Sequence, residues 1–157
     1  MNYKIVIDPG HGGIDSGTSG NGIVEKDYTL KISKYMANRL NELGIANILT
    51  RTSDSTLSID DRVKIINDTY GSGSNVIVIS NNLNSSDEAG IEIIYALRNN
   101  SALSYLITQA LESFGFTVNK YYQLRDETNT AKDRRELINK TQNNQTIEIF
   151  YGSVNDY

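Results

Sequence analysis

The sequence predicts an α/β fold: a single domain on a mostly parallel, twisted sheet of about six strands with helices on both faces. Short β-rich runs alternate with helical patterns of about ten residues or more, as in strands joined by crossover helices. Residues 75–80 (Asn-Val-Ile-Val-Ile-Ser) are a continuous apolar run, expected of a strand buried on both faces of a parallel sheet. The 157 residues, 38% hydrophobic and 22% charged, suffice for one core and leave little room for a second domain.

The elements follow in order. Residues 3–8 read as a strand that stops at Pro9-Gly10. Residues 9–22 contain six glycines and form a long loop, of the kind that carries function more often than not. From Glu25, the residues Tyr28, Ile32, Met36, Leu40 and Leu43 step at helical spacing, and Gly44 stands where a helix stops. Residues 45–50 are a strand. Ser58 and Asp61 cap a helix carrying Ile59, Val63, Ile66 and Tyr70. Residues 75–80 and 91–96 are strands, and Leu103 to Phe114 stripe a helix ending at Gly115. Residues 116–122 are a strand, 131–141 a weaker helix and 146–151 the last strand.

Composition excludes several functions. A net charge of −4 leaves no basic footprint for nucleic acid or an anionic membrane surface. No apolar run approaches the roughly 20 residues of a membrane span. The first residues read as a strand and not as the long apolar stretch of a signal peptide. With no cysteine and one histidine, His11, the chain cannot use thiol chemistry, disulfides or two imidazoles on one metal.

Sites in open α/β sheets form beyond the carboxyl ends of strands. Here those segments are residues 8–13, residues 80–84 and the run after Phe150. His11 lies between glycines in the first, either as a functional imidazole or as an incidental loop residue. Glu25, at a helix start, either joins His11 in a partial metal shell or merely complements the helix dipole, worth about 0.3–1 kcal/mol.

Several segments together are more specific. Ile5-Val-Ile-Asp-Pro-Gly-His-Gly-Gly13 precedes Gly22-Ile-Val-Glu-Lys-Asp27. There follow Leu49-Thr-Arg-Thr52, Ser80-Asn-Asn-Leu-Asn84, Gly90-Ile-Glu92 with Tyr95-Ala-Leu-Arg-Asn99, and Tyr151-Gly152. In this order the chain resembles the zinc-dependent N-acetylmuramoyl-L-alanine amidases of the family-3 type over nearly its whole length. The resemblance implies a peptidoglycan hydrolase that cuts the amide between N-acetylmuramic acid and L-alanine. Its zinc, held by two histidines and a glutamate, would polarise the carbonyl and activate water, with a second glutamate as general base.

Carried over by position, His11 and Glu25 match two metal ligands, but the third place holds Asn82, whose amide oxygen suits calcium or magnesium better than zinc. Weak or absent zinc binding is therefore expected. Phe150 stands where the family has its catalytic glutamate; Glu148, two residues earlier on the same strand face, is the weak stand-in, and a strand acid paired with a neighbour is the alternative. Asn84 and Glu92 match positions near the groove and are candidate substrate contacts, with structural hydrogen bonding as the alternative; Arg98 is a candidate contact to an acidic stem peptide, with a solvated surface arginine as the alternative. The resemblance implies an amidase-like domain over residues 1–157 that lacks the family's C-terminal helix, leaving a sheet face open to a second copy or a protein partner.

Three functions follow: an amidase-like domain with lost or reduced hydrolysis and a residual cell-wall or partner-binding role, an active amidase with an altered zinc site, or a regulatory protein on the same fold. The expected partner is the muramic acid and stem peptide of peptidoglycan. The expected place of action is the bacterial cell wall, reached by phage-lysin-like release or as part of a longer exported protein.

Overall fold

The apolar run of residues 75–80 lies in the middle of the sheet. In the computed structural model it belongs to β5 (Val76–Asn84), flanked by β1 (Lys4–Pro9) and β8 (Gln145–Ser153). The structure describes residues 2–142 and 144–155; Met1, Asn143, Asp156 and Tyr157, and with them both ends of the expected 1–157 domain, lie outside the described residues. The other strands are β2 (Ser19–Gly20), β3 (Ile23–Val24), β4 (Ala46–Leu49), β6 (Ile91–Tyr95) and β7 (Val118–Tyr122). The helices are α1 (Glu25–Glu42), α2 (Ile59–Tyr70), α3 (Ala102–Ser113) and α4 (Glu136–Lys140).

The six-stranded sheet has the order β4-β1-β5-β8-β6-β7. Every neighbouring pair is parallel except β8 with β6. Strand alternation sorts the side chains into two layers. Ile5, Ile7, Ile77, Ile79, Ile147 and Ile149 face Met36 and Leu40 of α1 and Ile107 and Leu111 of α3. Val6 and Val78 face Ile66 of α2 and Leu137 of α4, and Ile94 and Phe150 meet Ile138. Burying each such aliphatic side chain contributes about 1.5–3 kcal/mol. Between α1 and α3 a cavity of about 300 Å³ remains over the sheet, lined by Met36, Leu40, Ile79, Ile107, Leu111 and Ile149.

The expected cap of α2 is present in both directions: Ser58 Oγ accepts from Asp61 N–H at 3.0 Å, and the Asp61 carboxylate accepts from Ser58 N–H at 3.1 Å. Four expectations need correction. The strand at residues 75–80 runs on to Asn84, because β1 and β8 pair with it on both sides up to Asn81 and Asn82, so Asn82 lies in a strand and not in a loop. The helix at 131–141 shortens to α4. Upstream, the Asp126 carboxylate binds the N–H groups of Thr128 and Asn129, and Arg125 bridges Asp133, local bonding that competes with a helix. The strand at 116–122 begins only at Val118. The loop at 9–22 also contains the start of a small hairpin, β2–β3, turning at Asn21 and Gly22 with φ of 51° and 78°. Asn-Gly is the favoured pair for a two-residue turn with both φ positive.

Candidate active site

Asp8, next to last in β1, carries a buried carboxylate. Its Oδ1 accepts from Thr50 Oγ1 at 2.6 Å and Arg62 Nη1 at 2.8 Å, and its Oδ2 accepts from Ser80 Oγ at 2.7 Å. Arg62 also donates to the carbonyls of Pro9 and His11, while Arg51 donates to those of Pro9, Gly10 and Lys26. Two guanidiniums thus satisfy backbone oxygens that burial would otherwise leave unpaired, and they hold the loop leaving β1 in place.

His11 sits in the left-handed region at φ 61°. That conformation costs a residue with a side chain roughly 1–2 kcal/mol and is held by the Arg62 bond to its carbonyl. It turns the imidazole toward α1. Nε2 stands 3.2 Å from Glu25 Oε2, and Nδ1 stands 2.8 Å from Asp15 Oδ2. Glu25 is only 1% exposed, and its carboxylate also accepts from the N–H groups of Thr18 at 2.9 Å and Leu83 at 2.8 Å. It is therefore far more than a dipole complement. Gly17 makes the room: at φ +66°, a Cβ there would fall 2.5 Å from Glu25 Oε2 and 2.7 Å from His11 Cδ2.

The hydrogen bond to Glu25 raises the His11 pKa, with Asp15 adding to it and burial opposing. Burial pulls Glu25 upward, but His11 and the two backbone N–H groups outweigh it, so its carboxyl titrates below the usual range. The same balance, through His11 and the Gly17 N–H, lowers Asp15. The result is an imidazole whose charged form is favoured by two carboxylates.

On the neighbouring strands, Asn82 pairs with Phe150 and Ser80 with Glu148. Asn82 is buried, its Nδ2 donating to Ser80 Oγ at 3.3 Å. Its Oδ1 lies against Gly10, where a Cβ would come within 2.4 Å. Phe150 packs beside Ile94, Ile138 and Tyr122, and the Arg135 guanidinium lies 5.4 Å from its ring centroid. Glu148 is buried and accepts from Arg135 Nε at 2.5 Å, the paired strand acid that alternation allows. Burial pushes its pKa up, with Arg135 opposing. His11, Asp15, Ser80, Asn82, Arg135 and Glu148 line one cavity of about 250 Å³.

The remaining candidates separate. Glu92 pairs with Phe150 across β6–β8, and its carboxylate meets Tyr122 Oη at 3.4 Å and Lys120 Nζ at 3.6 Å. Asn84 Oδ1 accepts from Ser85 N–H at 2.9 Å, a local turn contact beside the irregularity in β5. Arg98 lies at the opposite end of the sheet, bound to the segment that leads into β8 at Gln145, and is not brought to His11. The residues that sequence reasoning missed are Asp15, Arg62 and Arg135. Arg62 shares a helix face with Ile59 and Ile66, so a charge on an apolar stripe was its available signal. Asp15 and Arg135 carry no periodic signal.

The donor set can be tested against zinc. His11 Nε2 and Glu25 Oε2 are spaced close to the ~3.3 Å edge of a tetrahedron with bonds of about 2.0–2.2 Å. Among the described residues, however, no group of three or more His, Cys, Asp or Glu side chains converges. Asn82, at the third place that the resemblance implies, is a neutral amide whose Nδ2 donates to Ser80 Oγ. One imidazole, one carboxylate and an amide do not fit a firmly held zinc.

His11, just past β1, and Glu25, at the start of α1, thus meet at one edge of a doubly covered α/β sheet. The family model for N-acetylmuramoyl-L-alanine amidase matches residues 5–105, and the chain belongs to that family. The sporulation-specific N-acetylmuramoyl-L-alanine amidase of Bacillus subtilis is 48% identical over 66 residues, covering 41% of this chain and 26% of that protein. The Staphylococcus aureus protein named "Probable cell wall amidase LytH" is 35% identical over 119 residues, covering 74% of this chain and 39% of that protein. The chain thus spans well under half the length of these relatives. Among solved structures, Cwp6 from Clostridium difficile superposes with a TM-score of 0.85 at 26% identity, covering 99% of this chain and 25% of that one. The amidase AmiC2 of Nostoc punctiforme gives 0.81 at 27% identity, covering 98% and 81%.

Proposed function

We propose that this chain is a peptidoglycan-recognising amidase domain whose amide hydrolysis is lost or strongly reduced, leaving binding to the muramoyl-peptide region of the cell wall as its role. The observation that carries this reading is the Asn82–Phe150 pair. Where the resemblance implies a third ligand and a general base, the chain has an amide that lines the His11 cavity and, on the next strand, a hydrocarbon ring packed against Ile94 and Ile138. Removing a positioned general base alone lowers a rate about 10²–10⁴-fold.

Glu148 is a poor replacement. It sits two residue pairs lower on the ladder, level with Ser80, and its carboxylate is bound by Arg135. The active-amidase reading needs that pair to open. The test is to incubate the protein with purified sacculi and follow both sedimentation and release of stem peptide. Co-sedimentation without release is expected, together with substoichiometric zinc in the purified protein. Stoichiometric zinc with sustained release would overturn the reading.

The aliphatic cavity between α1 and α3 supports a second reading, in which that face takes a second copy or a protein partner. Light scattering tests the first of these: a concentration-dependent dimer is expected, and a strict monomer that binds no apolar dye argues against an exposed docking face.

A further inference from the structure

The charges around the His11 cavity pair off almost completely. Asp15 and Glu25 both meet the His11 ring, and Asp8 meets Arg62, whose side chain is only 4% exposed. Arg62 commits Nη1 to Asp8 and the Pro9 carbonyl, and Nη2 to the His11 carbonyl. Arg135, on the same cavity, is differently placed.

Arg135 is the residue before α4, and its side chain is 41% exposed. Its Nε donates to Glu148 Oε2, whereas Nη1 and Nη2 meet no acceptor among the described residues. The Phe150 ring lies against the guanidinium, with 5.4 Å from Cζ to the ring centroid, a cation–π contact. An anchor on one edge and a ring on one face fix the plane of the group. The Nη1–Nη2 edge is left as a two-pronged donor, the shape that meets a planar carboxylate through two parallel N–H···O bonds. A fork held in place beforehand lowers the ordering cost of binding. Glu148 does not compete for that edge, because it takes Nε alone. Burial also favours the neutral form of Glu148, which limits its repulsion of a second acid.

The rest of the lining suits a short peptide. Leu57, Ile59 and Leu137 are apolar, while Ser80 and Asn82 are polar and neutral. In the peptidoglycan stem peptide, the residue after L-alanine is a glutamate joined through its side chain. Its α-carboxyl therefore stands beside the backbone, either free or amidated.

We propose that Arg135, and not Arg98, binds the free α-carboxylate of that glutamate, making the chain selective for acidic over amidated stem peptides. The proposal rests on the peptidoglycan-binding reading above and adds its specificity residue.

The test titrates N-acetylmuramoyl-L-alanyl-D-glutamate and its isoglutamine counterpart into the protein at fixed pH and ionic strength. The Arg135 Nε–H resonance and the His11 ring resonances report binding. The acid is expected to bind about tenfold more tightly, the scale of a charge-assisted hydrogen bond, and to shift the Arg135 signal. The amidated ligand should shift the His11 ring alone. Arg135→Lys keeps the charge without the fork and should retain a smaller preference. Arg135→Gln with Glu148→Gln leaves no buried charge unpaired and should bind the two ligands alike. Equal affinities in the parent, an acid preference with an unmoved Arg135 signal, or a double variant that keeps the parent's preference overturns the proposal. Sedimentation with sacculi separates this failure from that of the wider reading. A parent that sediments but does not distinguish the ligands keeps its cell-wall role and loses the Arg135 assignment; a parent that binds neither sacculi nor ligand loses both. If the double variant fails to fold, the parent's two affinities and its Arg135 signal decide.

Discussion

Asn82 and Phe150 are direct partners on the β5–β8 ladder, and their side chains project to the same side of the sheet. The two positions where the resemblance implies a metal ligand and a general base are therefore neighbours on one face of the sheet. An imidazole at 82 and a carboxylate at 150 would stand side by side on neighbouring strands. The double variant Asn82→His, Phe150→Glu is expected to bind zinc stoichiometrically and to raise stem-peptide release at least ~10²-fold over the parent. Each single variant is expected to give much less than half of that gain in log rate, because ligand and base act as a unit. Metal analysis and release assays on all four proteins check this; a metal-free double variant places the defect elsewhere.

The Arg135–Glu148 pair predicts a pH dependence of stability. Burial raises the folded-state pKa of Glu148 above its ordinary 4.5, against Arg135 and His11 and with Asp8. The folded chain then holds a proton that the unfolded chain has released, so this group's contribution to stability falls as pH rises above about 4.5. Glu148→Gln should flatten that slope, and Arg135→Gln, which removes the opposing charge, should steepen it. Urea denaturation across the range from acid to neutral pH gives the slopes directly. Identical slopes in all three proteins would show that Glu148 does not titrate differently on folding.

Gly17 lets His11 and Glu25 meet. A methyl group at φ +66° would overlap both side chains, and the Glu25 carboxylate is held in place by the N–H groups of Thr18 and Leu83. Gly17→Ala is expected to destabilise the fold by about 1–3 kcal/mol and to move the His11 ring resonances strongly. Unchanged ring resonances would mean that the pair does not depend on that space.

Arg62 neutralises Asp8 inside the protein. Arg62→Met leaves a buried carboxylate unpaired and is expected to cost about 3–5 kcal/mol. Adding Asp8→Asn should recover most of that loss, because the two charges disappear together. Denaturant melts of the single and double variants measure the coupling; additive losses would argue against a direct pair.

Some of this was readable in the linear chain because it depends on neighbours a few residues apart. The alternation of strands and helices, the α2 capping box and the buried run of β5 rest on local pattern, and the structure keeps them. The first part of the helix expected at 131–141 is absent because residues 132–134 pair their backbone with residues 124–126, a competition that periodicity does not display. Arg98 shows the limit most plainly: its place in the motif order says nothing about which end of the sheet it serves.

The sequence by itself determined the family of segments, the α/β class and the inventory of chemistry: one imidazole, an early glutamate, an amide at 82 and a ring at 150. Only the tertiary structure decided which of these meet. Parallel register put Asn82 beside Phe150 and set Glu148 two residue pairs lower, in the grip of Arg135. Close packing at Gly17 brought Glu25 to His11, and burial made Arg62 the counter-ion of Asp8. Register, packing and burial are properties of distant segments brought together, and no window of the chain contains them.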